Sequence, residues 1–193
     1  MEKLNQARLE KSSYQDVNAQ VVQRCREGDN RAQYELYKLY SKAMFNVSMR
    51  IVNDYAEAED VLQEAFISAF KNLHSYKAEA SFGSWLKKIV INAAVNAIRK
   101  RRAELVPLED QIAGDIAEEA YDDDTEWQVE QVRKAIQRLP DGYRVVLSLY
   151  LLEGFDHAEI GEILGISEST SKSQYSRARK KLLEIMRNSQ TVA

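Results

Sequence analysis

The chain has 193 residues, 45% of them hydrophobic and 30% charged, and its formal net charge is −3. That hydrophobic share is enough for a packed core and excludes a chain that is disordered throughout. The single cysteine, Cys25, excludes an internal disulfide framework, and the polar, charged start does not resemble a secretory signal. No run of about 18 apolar residues could span a bilayer, so we expect a cytoplasmic protein without membrane insertion.

Helix-favouring residues dominate the chain, which contains only seven Gly and two Pro. No sustained period-2 pattern indicates strands, so an all-α fold is expected. We predict two small helical domains joined by a flexible acidic linker, the second a helix-turn-helix. In chain order these are a leader (1–15), a helical domain (16–102), the linker (103–126), the helix-turn-helix domain (127–187) and a tail (188–193).

Charge is distributed unevenly along the chain. Residues 87–102 carry six Lys or Arg and no acid, and residues 169–187 carry six against one acid. Between them, residues 103–126 carry ten Asp or Glu and no base. The pattern predicts two surfaces that face a polyanion, joined by an acidic tether.

A predicted helix over 54–70 has an acidic face. Residues 51–69 contain five acids and no Lys or Arg. The expected core face is Val61, Leu62, Ala65, Phe66 and Ala69, and the opposite side is Glu57, Asp60 and Glu64. An acidic stripe is a poor DNA contact and a plausible protein contact, although an ordinary solvated face has the same pattern.

The next long helix begins near Ser81 and has two stripes. The expected core stripe is Phe82, Leu86, Ile89, Ala93 and Ala97. The second stripe, which is rich in hydrogen-bond donors, is Lys88, Asn92, Asn96, Arg99 and Arg102. Tyr76, Phe82 and Trp85 lie just before it. Aromatic rings beside a cationic track suit the stacking of unpaired bases, although Phe82 fits a core position better.

The sequence pattern over residues 156–167 predicts a helix-turn-helix. Asp156 and Glu159 form a capping-box pattern, Gly165 fits a left-handed helix end, and Ser167 can cap the following basic helix. An amphipathic hairpin with a solvated basic face is the alternative. On the second helix, Lys172 and Ser173 suit base edges, whereas Arg177, Arg179 and Lys180 suit phosphates. The stripe expected to face inward is Ser171, Tyr175, Ala178 and Leu182, and the outward one is Ser169, Lys172, Ser173 and Ser176.

Catalytic and metal-binding motifs are lacking. His74 and His157 stand far apart with one distant cysteine, no phosphate-binding glycine loop occurs, and no nucleophile–base constellation can be assembled. We therefore expect a protein that is not an enzyme, with no catalytic, cofactor-binding or metal-binding residues and no small-molecule substrate.

The chain resembles the extracytoplasmic-function (ECF) group of bacterial RNA polymerase sigma factors, within the sigma-70 superfamily, over about 18–187. The segment 58–66 is similar to the family's polymerase-binding helix. The segment 82–102 is similar to its promoter-melting and −10 segment. The third similarity, to the −35 helix-turn-helix domain, lies in Leu139-Pro140, Arg144, Glu159-Ile160, 164–167 and 177–182.

The resemblance implies a transcription initiation factor with core RNA polymerase and promoter DNA as partners, and with an anti-sigma factor as a further possible partner. It assigns core polymerase binding to Asp60, Gln63, Glu64, Leu147, Leu151 and Leu152. It assigns a flipped-out −10 base to the loop from Tyr76 to Ser84, and the rest of that strand to Lys88, Asn92, Asn96 and Arg99. We add Trp85 to the −10 contacts as a ring suited to stacking. It assigns −35 DNA to Lys172, Ser173, Ser176 and Arg177, and we add Ser169, Arg179 and Lys180 from the same surface of the helix.

Three departures from the family pattern lie in the second domain. Ser171 replaces a usual valine, Gly161 replaces a common alanine, and Ser176 and Gln174 make the recognition helix less cationic at its centre. They put the −35 sequence in question rather than the fold. Two other functions share some of these features. A stand-alone, dimeric helix-turn-helix regulator would have the same basic helix but no need of residues 58–66. A helical adaptor without nucleic-acid binding would tolerate the loss of Lys172 and Arg177.

Overall fold

The computed structural model describes residues 18–104 and 124–190, and every regular element in these ranges is helical. This confirms the expected all-α class. The predicted leader (1–15) and residues 105–123 of the predicted linker lie outside the described residues. A short 3-10 turn occupies Leu73–Ser75. The α-helices are α1 (Ala19–Arg26), α2 (Asn30–Val52), α3 (Tyr55–Lys71), α4 (Phe82–Glu104), α5 (Asp124–Gln137), α6 (Asp141–Leu151), α7 (His157–Leu164) and α8 (Glu168–Gln190).

The described residues form two compact units. The first contains residues 18–48 and 56–93, and the second contains 49–55, 94–104 and 124–190. No helix in the described ranges is both long and apolar enough to cross a membrane.

The core face predicted for α3 is confirmed. Val61, Leu62, Ala65, Phe66 and Ala69 are all buried. The Phe66 ring meets Tyr37 of α2 edge-on, with 4.9 Å between ring centroids. Burial of this face leaves the opposite, acidic side of α3 to solvent.

The core stripe of α4 differs from the one expected. Phe82 and Leu86 are fully buried, but Ile89, Ala93 and Ala97 are only half-buried. The fully enclosed positions further along are Val90, Ile91, Ala94, Val95 and Ile98. Two neighbouring rows of side chains along α4 are therefore buried, whereas the sequence pattern assumed a single buried face.

The helix-turn-helix predicted at 156–167 is confirmed in detail. The Asp156 carboxylate accepts a hydrogen bond from the Glu159 amide at 2.8 Å, and Glu159 accepts one from the Asp156 amide at 2.9 Å. Gly165 ends α7 in the left-handed region with φ 65°. Ser167 Oγ then accepts from the Thr170 amide at 3.1 Å and caps α8. Local side chains thus fix both ends of the turn.

Helix α8 packs against α5, α6 and α7. Its buried Ala178 joins a small apolar core with Ile136, Leu139 and Leu147. Arg144, 3% exposed, closes the turn before α6 because its guanidinium donates to the Leu139 carbonyl at 2.9 Å. The second unit therefore holds α8 by its apolar side and leaves its polar side open.

Asp156→Ala should lower the free energy of unfolding of the second unit by about 1 kcal/mol, because it removes the carboxylate that accepts the hydrogen bond from the Glu159 amide. Asp156→Asn should retain most of that stability, since its side-chain oxygen can still accept from the Glu159 amide. Thermal and urea unfolding of the two variants would measure the difference. Equal stability of Asp156→Ala and the parent chain would contradict this role for the cap.

Candidate nucleic-acid and protein interfaces

The acidic side of α3 is an exposed surface. Asp60, Gln63 and Glu64 all lie in solvent. Large apolar side chains are exposed in the same unit, with Tyr34 62% and Ile67 54% exposed. Carboxylates beside exposed apolar side chains favour a protein partner with basic residues rather than DNA.

An aromatic cluster stands at the start of α4. The Phe82 ring lies 5.7 Å from Tyr76 and 5.6 Å from Trp85, centroid to centroid. Phe82 is fully buried, whereas Trp85 is half-exposed. Trp85 is thus the ring of this cluster that offers a surface for stacking, and buried neighbours hold it in place.

The burial of Tyr76 corrects the expectation that its ring contacts DNA. Its side chain is only 5% exposed, because it packs 5.4 Å from Trp85 and beneath Arg26. Its hydroxyl donates to the Ala80 carbonyl at 2.7 Å, and Arg26 donates to the Tyr76 carbonyl. Tyr76 therefore anchors the loop before α4, a role for Tyr76 and Arg26 that their sequence positions did not reveal.

The polar stripe predicted on α4 is present. Lys88, Asn92, Asn96, Arg99 and Arg102 are all exposed. The Arg99 guanidinium donates to the Asn96 side-chain oxygen at 3.3 Å. Their spacing along one helix presents amide and cationic donors in a row that begins near Trp85, which suits a phosphate backbone with unstacked bases.

The outward face of α8 carries the side chains that the sequence predicts to contact bases and phosphates. All of these side chains are exposed: Ser169, Lys172, Ser173, Ser176, Arg177, Arg179 and Lys180. On the inward stripe, Ser171 and Ala178 are buried, and Tyr175 and Leu182 are half-buried. The two stripes expected for this helix are therefore confirmed as faces of the structure.

Lys172 has an intramolecular partner on the surface of α8. Its ammonium lies 2.6 Å from the Glu168 carboxylate, one helical turn earlier. This hydrogen bond to Glu168 raises the pKa of Lys172 above its ordinary value. Glu168 holds the ammonium near the start of the helix, where base-reading side chains of such motifs lie.

Burial also corrects the expectation for Leu147. This side chain is fully buried in the core beneath α8 and offers no surface to a partner. Leu151 and Leu152, at the end of α6, are 52% and 48% exposed, and Tyr150 beside them is 38% exposed. An apolar patch at the end of α6 therefore remains available for protein contact.

Metal binding finds no support in the part of the chain that the structure describes. In residues 18–104 and 124–190 no three His, Cys, Asp or Glu side chains are grouped as a metal site requires. Burial raises the pKa of the Cys25 thiol to about 11, which disfavours the thiolate that metals bind.

Two family models match this chain. The model for sigma-70 region 2 matches residues 36–104, and the model for sigma-70 region 4 matches residues 129–182. The chain belongs to the sigma-70 family of RNA polymerase sigma factors. The first region contains the acidic surface of α3 and the polar stripe of α4, and the second contains the helix-turn-helix.

Curated relatives place this sigma factor in the ECF group. It is 31% identical to the ECF RNA polymerase sigma factor SigM of Bacillus subtilis, over 77% of this chain and 91% of the relative. It is 29% identical to SigW of the same species, over 86% of this chain and 95% of the relative. The resemblance found in the sequence is thereby confirmed, as is a sigma factor function for RNA polymerase.

The fold of the sigma factor also matches solved structures. One of them is the sigma factor RpoE in complex with the anti-sigma factor NepR from Bartonella quintana. The TM-score is 0.56 at 24% identity, covering 80% of this chain and 96% of that one. This likeness supports the helical fold.

Proposed function

We propose that this sigma factor docks on core RNA polymerase, recognises the −35 and −10 elements of promoters, and captures unstacked −10 bases to promote strand opening. The observation that supports this most is that three different helices each expose a distinct polar face. That of α3 is acidic, that of α4 is rich in hydrogen-bond donors, and that of α8 is basic. A protein with these three faces can hold a basic protein and two stretches of DNA. No catalysis, cofactor or small-molecule substrate is needed, and the site of action is the cytoplasm.

Core polymerase is proposed to bind at two places. Asp60, Gln63 and Glu64 offer charge to a basic partner, while Leu151 and Leu152 offer an apolar contact. Neither set supports the core of its own unit, so both are free to form an interface.

The −10 element is proposed to lie along α4. Trp85 supplies the stacking surface, and Lys88, Asn92, Asn96 and Arg99 follow the strand. Unstacking a base costs a few kcal/mol, and capture of that base on protein offsets the cost. The anchored loop before α4 limits motion of Trp85, so little additional ordering is required when a base arrives.

The −35 element is proposed to receive the start of α8 in its major groove. Ser169, Lys172, Ser173 and Ser176 face base edges, while Arg177, Arg179 and Lys180 meet phosphates. The proposal keeps the predicted domain bounds: a helical domain at 16–102, a linker at 103–126 and a helix-turn-helix domain at 127–187. It also includes an anti-sigma partner that would cover the polymerase-binding surfaces.

Run-off transcription with purified core polymerase on a random promoter library tests the function. The expected result is selection of two sequence elements at a fixed spacing, with no transcription when the protein is omitted. Failure to bind core polymerase would overturn the proposal. Tight, sequence-specific duplex binding without polymerase would instead favour the stand-alone regulator.

Trp85→Ala should slow open-complex formation about tenfold, because a base–aromatic stack contributes about 1–3 kcal/mol. Trp85→Phe keeps an aromatic face and should lose much less. Fluorescence of 2-aminopurine placed in the −10 element would follow strand opening, and binding to core polymerase should be the same for both variants. Unchanged opening by folded Trp85→Ala would remove this residue from the −10 contact.

A further inference from the structure

Ser171 is a polar residue in a position that excludes solvent. It lies on the inward stripe of α8 with 0% exposure. A buried hydroxyl without a partner is costly, by an amount comparable to a lost hydrogen bond. The Ser171 hydroxyl has a hydrogen-bond partner, because its Oγ lies 2.9 Å from Nδ1 of His157.

His157 is itself fixed by two aromatic rings. Its imidazole is stacked on Tyr150, with 4.5 Å between centroids and 15° between planes. Its edge meets Tyr175 of α8 at 5.6 Å, and Tyr150 and Tyr175 lie 4.6 Å apart. The end of α6, the first residue of α7 and the inner side of α8 therefore meet in one cluster.

The position of this cluster along α8 matters for recognition. Ser171 immediately precedes Lys172 and Ser173, which face outward from the same turn of the helix. The hydrogen bond to His157 is directional, unlike an apolar contact, and restrains both the rotation of this turn about the helix axis and its distance from α7. Apolar packing alone would tolerate a larger range of both.

We propose that the His157–Ser171 hydrogen bond positions the base-reading turn of α8 and thereby sharpens discrimination between −35 sequences. His157 and Ser171 act through Lys172 and Ser173 and do not themselves touch DNA. This inference rests on the proposed function, in which α8 enters the −35 major groove. Tyr150 and Tyr175 hold the imidazole in the orientation that the hydrogen bond requires.

The sharpest test compares Ser171→Val with Ser171→Thr. The two side chains have nearly the same shape, but only threonine has a hydroxyl for His157. Run-off transcription is measured on the preferred promoter and on promoters with single −35 substitutions. For each variant, activity on the preferred promoter is divided by activity on a substituted promoter. This discrimination ratio should fall about threefold to tenfold in Ser171→Val, the range expected for one net hydrogen bond. It should stay near the parent value in Ser171→Thr.

A second variant and a control separate positioning from folding. His157→Phe keeps a stacking ring but lacks Nδ1, so it should reduce the ratio as Ser171→Val does. The double variant, His157→Phe with Ser171→Val, should reduce the ratio little further, because both changes remove the same hydrogen bond. Ser148→Ala removes another fully buried hydroxyl of the same unit, one whose oxygen has no hydrogen-bond partner in the structure, and should leave the ratio unchanged.

The outcomes distinguish this inference from the proposed function. If the parent protein initiates transcription at selected promoters but Ser171→Val and Ser171→Thr give the same ratio, the positioning role is overturned. Equal loss in Ser148→Ala would also overturn it, since general loosening would then be the cause. If the parent protein directs no transcription with core polymerase, the proposed function itself fails.

Discussion

Replacing Asp60 and Glu64 together with lysine is expected to weaken binding to core RNA polymerase by about 100-fold, within the 2–5 kcal/mol typical of desolvated interface charges. Both side chains are exposed on α3, opposite its buried face. The substitution therefore reverses charge at the proposed interface without entering the core. Helix content and thermal unfolding should change little.

A matched control carries the same change in net charge elsewhere. Glu27→Lys with Glu184→Lys alters two exposed carboxylates that lie outside α3. Titration of labelled protein with core polymerase at two salt concentrations would compare the variants. Parallel weakening in both would show that net charge rather than this surface governs binding, and would contradict the assignment.

Lys172→Ala is expected to reduce discrimination at one −35 base pair by about tenfold or more, as the loss of a base-edge contact does. The lysine is exposed and its partner Glu168 is exposed as well, so its removal should not disturb α8. Transcription from promoters substituted at each −35 position would locate the base pair concerned. A uniform drop at all positions would contradict a base contact.

Arg179→Ala provides the contrasting result. Arg179 is exposed further along α8 and is assigned to a phosphate. Its loss should weaken binding to all promoters alike. The slope of log affinity against log salt concentration should become shallower by about one, the change expected when one phosphate contact is lost. A change of −35 preference in this variant would show that the division between reading and anchoring residues is misplaced.

The helix-turn-helix was predictable because its determinants are local. Asp156, Glu159, Gly165 and Ser167 act within a few residues of their own positions, through cap hydrogen bonds and one left-handed residue. Such contacts depend little on the rest of the chain. The same reasoning explains why the buried face of α3 was found, since its period needs only one partner surface.

Burial of Tyr76 and Leu147 could not be predicted in the same way. Tyr76 is covered by Arg26 and Trp85, which stand 50 residues before and 9 after it, and Leu147 is covered by α8. Aromatic character indicated Tyr76 and the family resemblance indicated Leu147, but the exposure of each side chain is decided by residues of other elements. The contact of His157 with Ser171 belongs to the same class, although a serine on an otherwise apolar stripe was a signal that a partner was required.

Gly161 is another of the departures noted in the sequence, and its surroundings favour a glycine. A Cβ atom built at this position would lie 2.8 Å from the carbonyl oxygen of Ile166, closer than packed atoms allow. The backbone of α7 and the turn after it therefore approach each other more closely than an alanine permits. In a chimera, a helix with alanine at position 161 would therefore have to be exchanged for α7 together with residues 165–167, because the present turn leaves no room for a Cβ atom there.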